Sequence, residues 1–147
     1  MLNVGIVGCS FWSKKIIKEI NNSKKFKLTS IVCRNKKNEQ KRIKNFNSIK
    51  DMIDSNINDC IYVAALPDVN LEIVKLVKKF KIPLILEKPI SNSKNNIENL
   101  KKIVKDNNLI VYPNLTNYYS GIFKHLKNYL DTNYLEINRV IIYEGNL

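Results

Sequence analysis

Leu2-Asn3-Val4-Gly5-Ile6-Val7-Gly8-Cys9-Ser10-Phe11-Trp12-Ser13 is the stretch that decides the fold. It starts as a short apolar run ending on glycine, the pattern of a parallel strand buried on both faces. From Phe11 onward Ile16, Ile17 and Ile20 fall at helical spacing, and Asn21-Asn22-Ser23 ends that pattern. A buried strand that turns on a glycine straight into a helix is the opening of a βαβ unit.

The alternation continues along the chain. Phe26 to Cys33 reads as a second strand, followed by a polar, lysine-rich helix or loop at 35 to 45 and a short helix from Ser48 to Ile53 begun by Ser48. Cys60 to Ala65 is a strand stopped by Pro67. A helix from Val69 to Phe80, a strand from Pro83 to Leu86 and an amphipathic helix at 94 to 107 follow. Leu109 to Tyr112 is a further strand, and a helix from Gly121 to Leu130 and a strand near Ile137 to Tyr143 complete the pattern. Short strands alternating with longer helices predict an α/β fold, a doubly wound parallel sheet covered on both faces. Such sheets bind ligands beyond the carboxyl ends of their strands, where the loops at 8–13, 33–37, 65–70 and 87–90 fall.

Composition narrows the function classes. With 147 residues, 44% hydrophobic and 26% charged, the chain has the balance of one globular domain and not of a disordered, collagenous or coiled-coil protein. Its apolar runs are strand-sized, well short of the ~18 residues of a membrane span. The first residues lack the basic flank and cleavage site of a secretory signal, so the reading is a soluble, cytoplasmic protein. Cys9, Cys33 and Cys60 are odd in number, widely spaced and set in apolar segments, which fits reduced thiols in a core. His125 stands without clustered cysteines or carboxylates, so no metal site is assigned. The net charge of +12 would suit an anionic partner such as nucleic acid. However, the positive charge is nearly all lysine, with arginine only at Arg34, Arg42 and Arg139. Lysine accompanies abundant isoleucine and asparagine, the bias of an AT-rich coding sequence, and no lysine–aromatic stripe is present. Nucleic acid is therefore not the expected partner.

The turn after the first strand sits where dinucleotide-binding folds carry G-x-G-x-x-G. Gly8 can make the tight turn, but Ser10 puts a side chain where backbone approaches a pyrophosphate, and Ser13 replaces the glycine that lets helix and strand pack closely. A serine hydroxyl can donate to phosphate, and the helix N-terminus behind Phe11 and Trp12 offers free N–H groups. A cofactor turn and a purely structural strand–helix turn both fit. At the end of the second strand, the place of the acidic residue that holds the NAD ribose is taken by Cys33-Arg34-Asn35-Lys36. Arg34 and Lys36 can receive a 2′-phosphate, which favours NADP over NAD; a solvated basic loop is the other reading.

A third motif joins these two. Gly8-Cys9-Ser10-Phe11-Trp12-Ser13, Ala64-Ala65-Leu66-Pro67-Asp68 and Ile85-Leu86-Glu87-Lys88-Pro89-Ile90-Ser91, in this order and spacing, resemble the N-terminal half of the glucose-fructose oxidoreductase / inositol dehydrogenase / rhizopine-catabolism (Gfo/Idh/MocA) family. The resemblance covers about residues 1 to 125 and implies a Rossmann-type sheet binding NAD or NADP. It implies an oxidoreductase that transfers hydride between the nicotinamide and a CH–OH group of a sugar, nucleotide sugar or cyclitol. By the same resemblance Glu87, Lys88 and Pro89 close the cofactor site, and Lys88 lies near nicotinamide and substrate as the catalytic residue. Ala65, Leu66 and Pro67 line the cofactor loop, and Trp12 resembles the variant of the turn found in members acting on nucleotide sugars. Family members often have histidine where Asn70 stands. Without the family, a cation at Lys88 already makes chemical sense, because it stabilises an alkoxide as hydride leaves. Pro89 fixes the turn and suits a cis bond.

The resemblance also implies a second, substrate-binding domain, missing or cut short here. The expected organisation is a dinucleotide-binding domain over 1–120 and, over 121–147, a linker helix and the first strand of that absent domain. Val140 to Tyr143, an apolar strand without its sheet, is expected to dock on the remaining sheet or pair with a second chain. Cofactor binding with little turnover by this chain alone is the expectation, and a non-catalytic nucleotide-binding module completed by another chain is the alternative.

Overall fold

A computed structural model describes residues 1–33 and 42–133. The described residues up to Asn114 form one compact unit, and those from Leu115 to Asn133 belong to a second. In the first unit, β1 (Leu2–Val7), β2 (Phe26–Val32), β3 (Lys44–Phe46), β4 (Cys60–Val63), β5 (Leu84–Leu86) and β6 (Val111–Pro113) make one sheet. Its order is β3-β2-β1-β4-β5-β6, with every pairing parallel. The chain starts at the centre, winds to one edge, returns and winds to the other, the doubly wound arrangement of dinucleotide-binding folds. The expected fold class is therefore what the structure has.

Four helices accompany this sheet: α1 (Phe11–Asn22), α2 (Ile49–Asp54), α3 (Asn70–Val77) and α4 (Lys94–Asp106). Side chains of successive strand residues point to opposite faces, so two cores form. Val4, Ile6, Leu28, Ile31, Tyr62 and Ala64 pack with Ile16, Ile17 and Ile20 of α1 on one face. Val7, Val32, Ile61 and Val63 pack with Met52, Ile73, Val74 and Leu100 of the other helices on the opposite face. Ile6, Ile61, Val63, Ile73 and Val74 are wholly buried, each stabilising the unit by roughly 1.5–3 kcal/mol relative to an exposed side chain.

Most elements lie within a few residues of their expected bounds. Ser48 caps α2 as expected, its hydroxyl accepting from the Asp51 N–H at 3.0 Å. The strand β3 was not expected. Lys44-Asn45-Phe46 is too short and polar to show an apolar period, and it becomes a strand by pairing with Ser30 to Val32 of β2. In the second unit, a short 3-10 turn (Thr116–Tyr119) precedes α5 (Gly121–Asn133), and the Tyr118 and Phe123 rings lie 5.4 Å apart. The expected strand near Ile137 to Tyr143 lies outside the described residues. Among those described, no helix is long and apolar enough to cross a membrane.

The cysteine expectation needs correction. Cys9 and Cys33 are joined as a disulfide with their Cα atoms 5.7 Å apart, and Cys60 alone is free. Twenty-four residues separate the pair in sequence, so no local motif announces it. Tertiary pairing supplies the reason: Val7 of β1 is in register with Val32 of β2, and each cysteine lies just beyond its strand end.

Candidate functional site

At the carboxyl edge of the sheet a cleft of about 680 Å³ opens. Gly8, Ser10 and Trp12 line it from the β1–α1 turn, Ala65 and Leu66 from the end of β4, and Glu87 and Lys88 from the end of β5. The three sequence motifs thus meet in one place. Cys9, Cys33 and the Asn47-Ser48-Ile49 segment also line it; the sequence marked Cys9 and Cys33 as core thiols and Ser48 as a helix cap, and showed no sign of Asn47 or Ile49 at the cleft. Arg34 and Lys36 lie outside the described residues.

Gly8 adopts a φ of 107°, and a Cβ there would stand 2.3 Å from the Ala64 carbonyl oxygen. The turn therefore needs glycine twice over, for its left-handed backbone and for its close approach to β4. The next residues cap α1. Ser10 Oγ accepts from the Ser13 N–H at 3.3 Å, and Ser13 Oγ accepts from the Ser10 N–H at 3.1 Å. This reciprocal capping box satisfies two N–H groups that a glycine turn would offer to a phosphate. The N–H groups of Phe11 and Trp12, in the first helical turn, have no intrahelical acceptor. Ser13 is wholly buried, Phe11 is exposed outside the cleft lining, and Lys15 Nζ lies 4.7 Å from both the Phe11 and the Trp12 ring centroids.

Pro67 begins a short 3-10 turn (Pro67–Val69) that leads into α3. Asn70, at the start of α3, is buried and donates from Nδ2 to the Ile90 carbonyl at 2.9 Å. Its Oδ1 is buried without a partner. The bond between Lys88 and Pro89 is cis, in keeping with the sequence expectation.

Glu87 carries the least expected geometry. It is buried, and its carboxylate accepts from the Tyr62 hydroxyl, from Asn114 Nδ2 at 2.5 Å and from the Lys88 backbone N–H at 3.3 Å. Asn114 Nδ2 also donates to the Tyr62 oxygen at 2.9 Å. Burial, then the hydrogen bond to Glu87 and its charge, push the Tyr62 hydroxyl well above the usual tyrosine range, against a smaller opposing effect of Asn114. Three donors compensate one buried carboxylate, which holds the backbone of Lys88 while the Lys88 side chain remains exposed at the cleft. Tyr62 and Asn114 were not singled out from sequence. The one available signal was a tyrosine in an otherwise aliphatic strand.

A dinucleotide fits the chain's residues at the glycine turn, the free N–H groups and the size of the cleft. The serine box is the feature that departs from that fit. Comparison with known proteins agrees with the architecture. Residues 2–115 match the model of the Gfo/Idh/MocA oxidoreductase family, NAD-binding Rossmann fold. The chain is 20% identical over 118 residues to the uncharacterized oxidoreductase YgjR of Escherichia coli (strain K12), covering 76% of this chain and 36% of that one. Scyllo-inositol dehydrogenase from Lactobacillus casei, solved with NAD(H) and scyllo-inositol, superposes with a TM-score of 0.82 at 18% identity, over 91% of this chain and 42% of that one. Biliverdin reductase from Synechocystis sp. PCC 6803, solved with biliverdin and NADP+, superposes at 0.70 with 14% identity, over 88% and 43%. The chain thus spans about two fifths of the length of each. With the family model matching most of its length, the chain belongs to the Gfo/Idh/MocA oxidoreductase family, of which it carries the NAD-binding Rossmann fold.

Proposed function

We propose that this chain binds a nicotinamide dinucleotide in the cleft at the carboxyl edge of its sheet and forms the cofactor half of an oxidoreductase. The convergence of Gly8, Ala65 and Lys88, from three separate strand ends, on that one cleft carries the reading. In its finer form the substrate is a sugar, nucleotide sugar or cyclitol with a reacting CH–OH group. NADP is preferred to NAD, through Arg34 and Lys36. A bound nicotinamide supplies the hydride acceptor or donor. The protein's part is positional and electrostatic. Phe11 and Trp12 offer N–H groups to the pyrophosphate, and Gly8 keeps the turn low. Pro67 and Pro89 shape the flanking loops, with Ala65 and Leu66 as apolar walls. The Lys88 ammonium stabilises negative charge on the substrate oxygen, with Glu87 fixing the lysine's backbone.

The capping box of Ser10 and Ser13 favours a second reading, a non-catalytic nucleotide-binding module, because it occupies donors the cofactor would use. Titration of the purified chain with NADPH and NADH, followed by nicotinamide fluorescence, separates the readings. Tighter NADPH binding that Arg34→Ala abolishes supports both cofactor and phosphate roles. Tighter NADH binding keeps the cofactor and removes the Arg34 argument. Binding of neither leaves the non-catalytic module.

A further inference from the structure

We propose that Cys9 and Cys33 form a site of reversible oxidation by small-molecule disulfides, and that closing the bridge weakens dinucleotide binding in the adjacent cleft. The second half rests on the cofactor reading above; the first does not.

Position makes the pair a chemical unit. The two residues extend adjacent parallel strands just past Val7 and Val32, and their Cα separation of 5.7 Å is the ordinary span of a disulfide. The two are chemically unequal. Cys9 is exposed and immediately precedes the N-cap of α1, a helix of 12 residues with no acidic side chain in its first turn. Its exposure makes Cys9 the sulfur that an incoming small disulfide can reach. Cys33 is half-buried. Cys60 cannot join them, because it pairs in register with Val4 and so lies near the opposite end of the sheet. Burial, aided by the Asp59 charge, also raises its thiol above the usual range.

The exchange balances without further reactants. The Cys9 thiolate attacks one sulfur of a disulfide RSSR, forming a mixed disulfide and releasing one thiolate, RS⁻, which takes up the proton lost by Cys9. The Cys33 thiolate then attacks the Cys9 sulfur and releases the second, which takes the proton lost by Cys33. The protein loses two electrons and RSSR gains them as two RSH.

Both cysteines line the cleft, so the bridge acts on the cofactor turn directly. On one flank the turn already lies against the Ala64 carbonyl through Gly8, and the Gly8 N–H donates to the Val32 carbonyl at 2.9 Å. The bridge adds a covalent tie to the end of β2. Held on both flanks, the turn keeps the serine box closed. With free thiols the turn can yield, and the Ser10 and Ser13 N–H groups can exchange hydroxyl partners for phosphate oxygens.

The test equilibrates the reduced chain with glutathione and glutathione disulfide over a range of ratios, followed by alkylation, mass spectrometry and NADPH titration of each form. Expected is a species two hydrogens lighter with alkylation at Cys60 alone, and with Cys33→Ser a mixed disulfide that stops at Cys9. The NADPH Kd should rise roughly tenfold on oxidation and return on reduction, a response that the double substitution Cys9→Ser with Cys33→Ser abolishes. Glutathione retained on Cys9 of the unsubstituted chain overturns the site. A bridged form with equal or tighter NADPH binding overturns its control of the cleft. If the bridge forms but neither state binds NADPH or NADH, the mass data identify the cofactor reading as what failed, and the control fails with it.

Discussion

At Gly8 a φ of 107° and the Ala64 oxygen 2.3 Å from where a Cβ would stand leave no room for another residue. Gly8→Ala should cost at least about 2 kcal/mol in urea unfolding, from backbone strain and displacement of β4 together. It should also abolish the dinucleotide fluorescence signal. Tyr62 is the second residue whose surroundings set a prediction. Its pKa is raised in the folded chain by burial and by Glu87, so the protonated hydroxyl is favoured by folding. That contribution is fully present below the unfolded tyrosine value of about 10 and is lost as pH rises through the folded value. Tyr62→Phe should remove this alkaline fall in stability. At neutral pH the same change takes a donor from buried Glu87 and should cost about 1–3 kcal/mol, read from paired urea melts at both pH values.

Among the elements, α1 depends most on its first turn. Ser10→Ala removes the hydroxyl that caps the Ser13 N–H and should destabilise by about 1 kcal/mol, whereas Ser10→Gly should cost only a few tenths. Either change frees the Ser13 N–H, but glycine also removes the Cβ from the backbone that a pyrophosphate approaches, so Ser10→Gly should tighten NADPH binding more than Ser10→Ala in the same titration. At the start of α3, Asn70 joins the helix to the loop after Pro89 through the Ile90 carbonyl. Asn70→Ala leaves that carbonyl without its donor. Thermal unfolding should register a loss of about 1–3 kcal/mol.

For the molecule as a whole, a net charge of +12 predicts that an anionic dinucleotide binds more weakly as salt screens the field. NADPH, with an extra phosphate, should lose more affinity than NADH between about 0.05 and about 0.5 M NaCl, where the Debye length falls severalfold. Equal losses for the two cofactors would remove the role given to Arg34 and Lys36. The chain spans 36% of its Escherichia coli relative and 42% of the inositol dehydrogenase.

The sequence by itself determined the alternation of strands and helices apart from β3, the parallel sheet and the glycine turn. Each is written in local periodicity: apolar runs such as Ile82 to Leu86, helical spacing such as Ile97, Leu100, Ile103 and Val104, and Ser48 before its helix. The family resemblance carried by the three motifs, rather than any local pattern, implied that Gly8, Ala65 and Lys88 share one site. Tertiary structure alone decided what those residues do to one another. β3 exists because β2 offers it an edge, and Cys9 meets Cys33 because β1 and β2 are neighbours in register. Glu87 is held by Tyr62 and Asn114 because β4, β5 and β6 lie side by side. These are contacts between residues far apart in the chain, and no local pattern of hydrophobicity or turn chemistry encodes which distant side chain will arrive. The serine box lies between. Its residues were legible as departures from glycine, but that their hydroxyls cap each other's N–H groups follows from the geometry of the folded turn.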